Sequence, residues 1–436
     1  RVPPTQRMST FCDLTTAYNE SGGSIRTYLD AKRHHILHHT DHRHVLIVPG
    51  PADRVEYEAD GRLERRTIKS PKIGHGNYRW LWRPDEIFAA LEAADPEIVE
   101  LGTYWVSPFP ALRFRHDRDK DGRPTLVTGY FHTDLASAYV ASPLEGTIED
   151  WFGSQSWTEP LERLGLRVAD LAAGGVRRYF GSIFERLDRV FVSSEAERET
   201  IAAYGVRSPD IIPLGVDVEQ FHPRARSVDL RATYGAPDDD TCVLVYAGRL
   251  DEEKRVTLLL DAFQRLQESD TRPGRSESDP SPTYRLWIAG EGPAKEELET
   301  RIESQGLDGV YLLGFVAEKD ALAELLASAD LYVTAGPHET FGLSVVEAQA
   351  AGLPVVGVQA GALRERVVPE TGVLAEVDDP ADFDRQIERA WQARDRWSQS
   401  ARAHVESHFS WQVSFERLIG LCEQSLAAKK AADPDE

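Results

Sequence analysis

Short runs of β-branched and aromatic residues recur along the chain. Most are followed by a polar turn and then by apolar residues at helical spacing, the alternation of an α/β protein with parallel sheets. The runs predict strands near 9–15, at 45–49, 97–101, 124–130 and 189–192, and then at 242–247, 284–289, 310–313, 331–334, 354–358 and 373–375. Helices are expected from Ser24 to about Leu37, from Ser194 to Tyr204, and over 343–351, 397–408 and 410–428. Residues 56–68 break the alternation and read as a hairpin turning at Asp60-Gly61. Pro213, Gly215 and Pro223 provide hinge-like punctuation between two halves.

One strand–turn–helix unit stands out. After 331–334 comes HETFGLSVVEAQAAG, His338–Gly352, with Phe341-Gly342 opening a helix and Gly352 and Pro354 ending it. Such a turn aims unpaired backbone N–H groups and a helix dipole at whatever sits above the sheet, so it suits an anion. Glu339 in the turn and Glu347 on the helix place two acids eight residues apart. A second unit follows the strand 242–247, where Gly248-Arg249-Leu250-Asp-Glu-Glu-Lys254 sets a glycine and two cations beyond the strand end. Gly248 admits close backbone approach, and Arg249 with Lys254 makes an anion clamp.

HETFGLSVVEAQAAGLPVV resembles the E-x7-E segment of family 4 retaining glycosyltransferases, which have the GT-B fold. GRLDEEK resembles that family's G-R-L-x-x-x-K motif. The resemblance extends to Ile211–Asp217 with Phe221-His-Pro223, similar to the family's interdomain crossing, and to Gly22-Gly23, similar to its diglycine loop. It also takes in His132-Thr-Asp134, where the family's histidine lies beside the donor sugar. It implies two Rossmann-like domains facing across a cleft, with boundaries at 1–213, 214–396 and 397–436, the last helices crossing back to the first domain.

The function implied is transfer of a hexosyl group, with retention, from a nucleotide-diphosphate sugar of the GDP-mannose or UDP-glucose type. The acceptor would be a hydroxyl on a sugar, lipid or small polyol, bound mainly by the first domain. Arg249, Lys254, Glu339 and His132 would be catalytic. Gly22, Gly23, Gly248, Phe341, Gly342, Leu343 and Glu347 would bind the donor, with Glu347 on the ribose and Glu339 on the sugar hydroxyls. No cofactor and no metal is expected.

Composition narrows the partners. The 436 residues carry 50 basic and 72 acidic side chains, a formal charge of −22. That balance argues against nucleic acid and against attachment to anionic lipid by charge. Cys12, Cys242 and Cys422 are odd in number and far apart, which implies no disulfide framework, and Cys242 is expected in the core. No run has the length of a membrane span and no secretory leader is evident, so a cytoplasmic protein is expected.

Other motifs weigh less. Six histidines fall in 34–44, with His34/His38 and His35/His39 at helical spacing, but no third ligand is evident and this helix end should be solvated. Asp117–Gly122 imitates the start of a calcium loop, yet its twelfth position is Thr128, so an acidic turn is expected. Gly290-Glu-Gly292-Pro293 lacks the third glycine of a dinucleotide fingerprint. Residues 268–282 read as a surface insertion rich in Ser, Pro and Asp. A sugar-nucleotide epimerase of the same fold and a non-catalytic sugar-nucleotide-binding protein are the alternatives. A glycosidase pair is disfavoured, because it has no use for the cations.

Overall fold

A computed structural model describes residues 8–18, 24–72, 79–131, 174–238, 240–269, 282–339 and 341–432. Gly22, Gly23 and His132 lie outside the described residues, as does most of the 268–282 insertion. The chain forms two compact units, one of Arg1–Ile212 with Phe415–Glu436 and one of Pro213–Ser414. Return to the first unit therefore begins at Phe415, later than residue 397.

The first unit is built on eight strands: β1 (Thr10–Leu14), β2 (Arg43–Gly50), β3 (Arg54–Glu58), β4 (Leu63–Lys69), β5 (Ile98–Leu101), β6 (Leu126–Phe131), β7 (Arg189–Val192) and β8 (Asp210–Ile211). Their order across the sheet is β3-β4-β2-β1-β5-β6-β7-β8. Among these described strands the β3/β4 pairing is antiparallel and the others are parallel. Val45–Val48 is buried on both faces, which is why it reads as a continuous apolar stretch instead of an alternating one; Ile98–Leu101 is equally buried but includes the acid Glu100.

The helix α1 (Ser24–His39) packs on β2 and carries buried Lys32. Lys32 bridges Asp13 at 2.9 Å and Glu100 at 3.0 Å. His44 Nε2 lies 2.5 Å from the other Asp13 oxygen. The histidine segment is thus not simply solvated: His35, His42 and His44 are buried. Phe415, 5.5 Å from the His35 ring, helps cover it. No cluster of three metal-ligating side chains exists among the described residues.

The acids Asp117 and Asp119 also depart from expectation, lying in the last turns of a helix, Pro108–Lys120, and not in a loop. Asp119 accepts from Thr125 N at 3.1 Å and from Lys429 at 2.8 Å, which uses it as a structural tie.

The second unit contains β9 (Thr241–Ala247), β10 (Thr283–Ala289), β11 (Val310–Gly314), β12 (Leu331–Val333), β13 (Val355–Val358) and β14 (Gly372–Ala375). All are parallel, in the order β11-β10-β9-β12-β13-β14. This is the doubly wound 3-2-1-4-5-6 arrangement, and its direction of winding reverses between β9 and β12. The helix α2 (Leu343–Ala350) leads from β12 to β13. A longer helix, α3 (Pro380–His408), packs on β12, β13 and β14; Asp379 caps it by accepting from Ala381 N and Asp382 N.

The last helix, α4 (Trp411–Ala432), carries the chain back. Within the first unit Lys429 and Lys430 reach Asp119 and Glu97 at 2.8 and 3.0 Å. Phe415, Leu418, Ile419, Cys422 and Leu426 are buried. Cys12, Cys242 and Cys422 are free and buried, so none is a reactive thiolate. No helix among the described residues is long and apolar enough to cross a membrane.

Candidate active site

The two motifs that carry charge end adjacent strands. Gly248 follows β9 and the turn 334–342 follows β12, so both lie at the reversal point, where parallel sheets of this kind leave a crevice for ligands. Tyr332 ties them together. Its hydroxyl donates to Ala247 O at 3.0 Å and lies 2.8 Å from the Ser344 hydroxyl in the first turn of α2. Tyr246 supports the neighbouring loop by donating to Arg249 O at 2.7 Å. A Cβ on Gly248 would fall 2.7 Å from that tyrosine hydroxyl, so the glycine lets the loop close over it.

Lys254 and Glu339 meet across 2.5 Å, with about one-sixth of each side chain exposed (17% and 16%). Asp251 sets the lysine by capping a short 3-10 turn, its carboxylate accepting from Lys254 N at 3.1 Å. The glutamate is held by its backbone: Ala362 N donates to Glu339 O at 2.8 Å. Gly361 makes that approach possible. Its φ is +51°, and a Cβ there would lie 2.7 Å from Glu339 O and 2.9 Å from Pro337 O.

Arg249 behaves differently from Lys254. Its side chain is 70% exposed and pairs within its own segment, with Asp251 at 2.8 Å and Glu253 at 3.6 Å. The two cations are therefore not equivalent: Lys254 is docked on the acid of the other loop, whereas Arg249 extends into solvent.

At the start of α2, Gly342 has φ +79° and no side chain among the described residues caps the helix. Leu343 and Ser344 are among the residues whose N–H groups a helix leaves without an intrahelical acceptor. Phe341 is fixed from behind, since the buried Arg366 donates to Phe341 O at 3.0 Å and lies 4.2 Å above its ring. Glu347 sits one turn further along. Its removal from water pushes the carboxyl up to about 7, against the pull of Lys319. Glu339 and Glu347 both act on the Tyr332 hydroxyl, which burial already holds above its ordinary range. The fold thus gathers Gly248, Lys254, Glu339, Phe341, Gly342, Leu343 and Glu347 beyond the ends of the adjacent strands β9 and β12.

Several supports were not anticipated from the sequence: Tyr246, Tyr332, Gly361 and Arg366. Gly290 and Gly292 form another. A Cβ on Gly290 would meet Gly248 O at 1.9 Å, and one on Gly292 would meet Leu250 O at 2.2 Å. The two glycines after β10 therefore seat one loop on the other. Their spacing after a strand was the available signal, although from the sequence it indicated only the absence of a dinucleotide fingerprint.

Residues 35–220 match the family described as Glycosyltransferase Family 4, and residues 231–404 match Glycosyl transferases group 1. The chain is also 32% identical over 409 residues to the GDP-mannose-dependent alpha-mannosyltransferase of Mycolicibacterium smegmatis, covering 90% of this chain and 92% of that one. The chain belongs to the glycosyltransferases. A second relative of this glycosyltransferase is the GDP-mannose-dependent alpha-(1-6)-phosphatidylinositol dimannoside mannosyltransferase of Mycobacterium tuberculosis, 35% identical over 189 residues. That match covers 43% of this chain and 45% of the relative, less than half of either. Among solved structures, sucrose-phosphate synthase from Thermosynechococcus elongatus has a TM-score of 0.64 at 19% identity, covering 97% of this chain and all of that one. The likeness establishes the GT-B fold.

Proposed function

We propose that this glycosyltransferase moves a hexosyl group, with retention at the anomeric carbon, from a nucleotide-diphosphate sugar to a hydroxyl acceptor. The observation that carries the reading is the docking of Lys254 on Glu339 at the β9/β12 reversal point. A cation for departing phosphate and an acid for sugar hydroxyls meet there beside a helix N-terminus. GDP-mannose is the favoured donor ahead of UDP-glucose, because the relative matched along nine-tenths of the chain is named for GDP-mannose.

In this reading donor binding separates the ion pair. Lys254 turns to the diphosphate, joined by Arg249 and by the N–H groups at Leu343 and Ser344. Glu339 accepts from sugar hydroxyls, and Glu347 accepts from the ribose. Diphosphate departure leaves positive charge on the sugar ring. Lys254 stabilises the first charge and Glu339 the second, each strengthening as the bond breaks. The acceptor hydroxyl attacks the face that the diphosphate leaves, and its proton passes to a phosphate oxygen, so no protein base is required. His132, Gly22 and Gly23 keep their proposed places near the donor sugar and diphosphate on the resemblance alone.

Titration of GDP-mannose and UDP-glucose, followed by product analysis with a hydroxyl acceptor, tests the assignment. GDP release matched by a new glycoside is expected. A product that keeps its nucleotide would favour the epimerase, and binding without turnover would favour the non-catalytic alternative.

A further inference from the structure

The first unit carries a separate constellation of charge. Arg26, Arg54, Arg65, Lys72 and Arg79 line a cavity of about 610 Å3, with Glu56 the one acid in its wall among the described residues. The cavity lies at the carboxyl ends of β1, β2 and β4, taking in Thr16, Pro49, Gly50 and Thr67. A concentration of positive charge here runs against a chain of formal charge −22.

The hairpin register explains how it is assembled. Glu56 pairs with Arg65 and Arg54 with Thr67, and alternation along each strand sets these four on one face. Glu56 must serve two guanidinium groups, Arg54 at 2.9 Å and Arg65 at 3.9 Å. Arg65 Nε is buried and has no hydrogen-bond partner among the described residues. Lys72 and Arg79 face each other across a β-bridge, and neither pairs with an acid among the described residues; Arg79 donates to Ser70 O at 2.6 Å. Tyr18 stands between Arg26 and Arg65, each 5.7 Å from its ring centroid. Asp30 accepts from Tyr18 and pairs with Arg26 at 3.4 Å.

We propose that this cavity binds the phosphate of a phosphorylated acceptor, a phosphate ester of a sugar or polyol. The proposal rests on the reading of the protein as a hydroxyl-directed glycosyltransferase. Several cations converging on one space suit a phosphate, which offers more acceptor oxygens than a carboxylate and matches the guanidinium fork. The volume is that of a small-ligand site, and Tyr18, Thr16 and Thr67 give a ring face and hydroxyl partners for the sugar or polyol portion.

Calorimetric titration with glucose 6-phosphate, with glucose as control, probes a free ester. Cosedimentation with vesicles of phosphatidylinositol diluted in phosphatidylcholine, against phosphatidylcholine alone, probes a lipid headgroup. Binding in either arm is expected and identifies the source. Arg65→Gln/Lys72→Gln should weaken it by about tenfold to a hundredfold, the scale of losing charge-assisted contacts. Arg54→Gln, at an exposed position on the edge strand, gives a second variant should the first not fold, and should weaken binding several-fold. Absence of binding in both arms, or binding that these variants leave unchanged, overturns the proposal. GDP-mannose titration on the same protein keeps the two readings distinct: ester binding without GDP-mannose binding would remove that donor assignment and leave the cavity.

Discussion

Lys254 and Glu339 are each mostly buried and each compensated by the other, so neither can be removed neutrally. Lys254→Ala leaves a carboxylate without its cation and, in the proposed reaction, a diphosphate without its stabiliser. Transfer should fall by about two to three orders of magnitude, the scale of losing one preorganised charge. Arg249→Ala should cost less, because that side chain is exposed and already paired with Asp251 and Glu253. Glu339→Gln should lower kcat, since a carboxylate beside the sugar interacts more strongly as charge develops. Steady-state kinetics at saturating acceptor measure all three; an unchanged kcat in Glu339→Gln would remove its role. At this scale the charged residues were legible from the sequence, because glycine, cation and acid follow strand ends in fixed order. Their inequality was not, since pairing of Lys254 with Glu339 spans 85 residues. Tyr332 and Arg366 look like ordinary core and surface residues until the fold sets them behind the site.

The helix α2 combines a glycine-opened N-terminus with Glu347, whose carboxyl is pushed up to about 7 by removal from water. A carboxyl raised on folding contributes stability that is fully present below its unfolded value, near 4.3, and is lost as pH rises toward 7. Glu347→Gln should therefore melt above wild type at pH 8, by an amount reflecting up to about 3 kcal/mol, and the gap should close near pH 4.5. Thermal melts across that range check it, and a gap of constant size would contradict the origin of the effect. The same variant should raise the donor KM more than it lowers kcat, as expected of a contact made equally in ground and transition states. Elements of this kind were readable because parallel strands buried on both faces produce continuous apolar runs. The helix over 108–120 was less so: its charged sequence FRHDRDK has little apolar periodicity, and the acids there read as a turn.

Across the whole molecule, the strand order and the return of 415–436 to the first unit follow from packing that links distant residues. The alternation of strands and helices announced two α/β units; the resemblance, not periodicity, announced how they were connected. Protein cations at the β9 end lead to the expectation that transfer proceeds without divalent metal. Exhaustive chelation should leave the rate within about twofold, far from the loss expected when a stabilising charge is removed, and complete loss restored by magnesium or manganese would contradict it.

Retentive transfer from a nucleotide sugar is tested most directly by following GDP-mannose turnover by proton NMR while the new glycosidic bond forms. The donor's anomeric signal should decline in step with GDP release, and the first-formed glycoside should have the donor's own α configuration. Lys254→Ala should suppress both signals together. A β-linked first product, or sugar released only to water in the presence of an accepted hydroxyl, would contradict it.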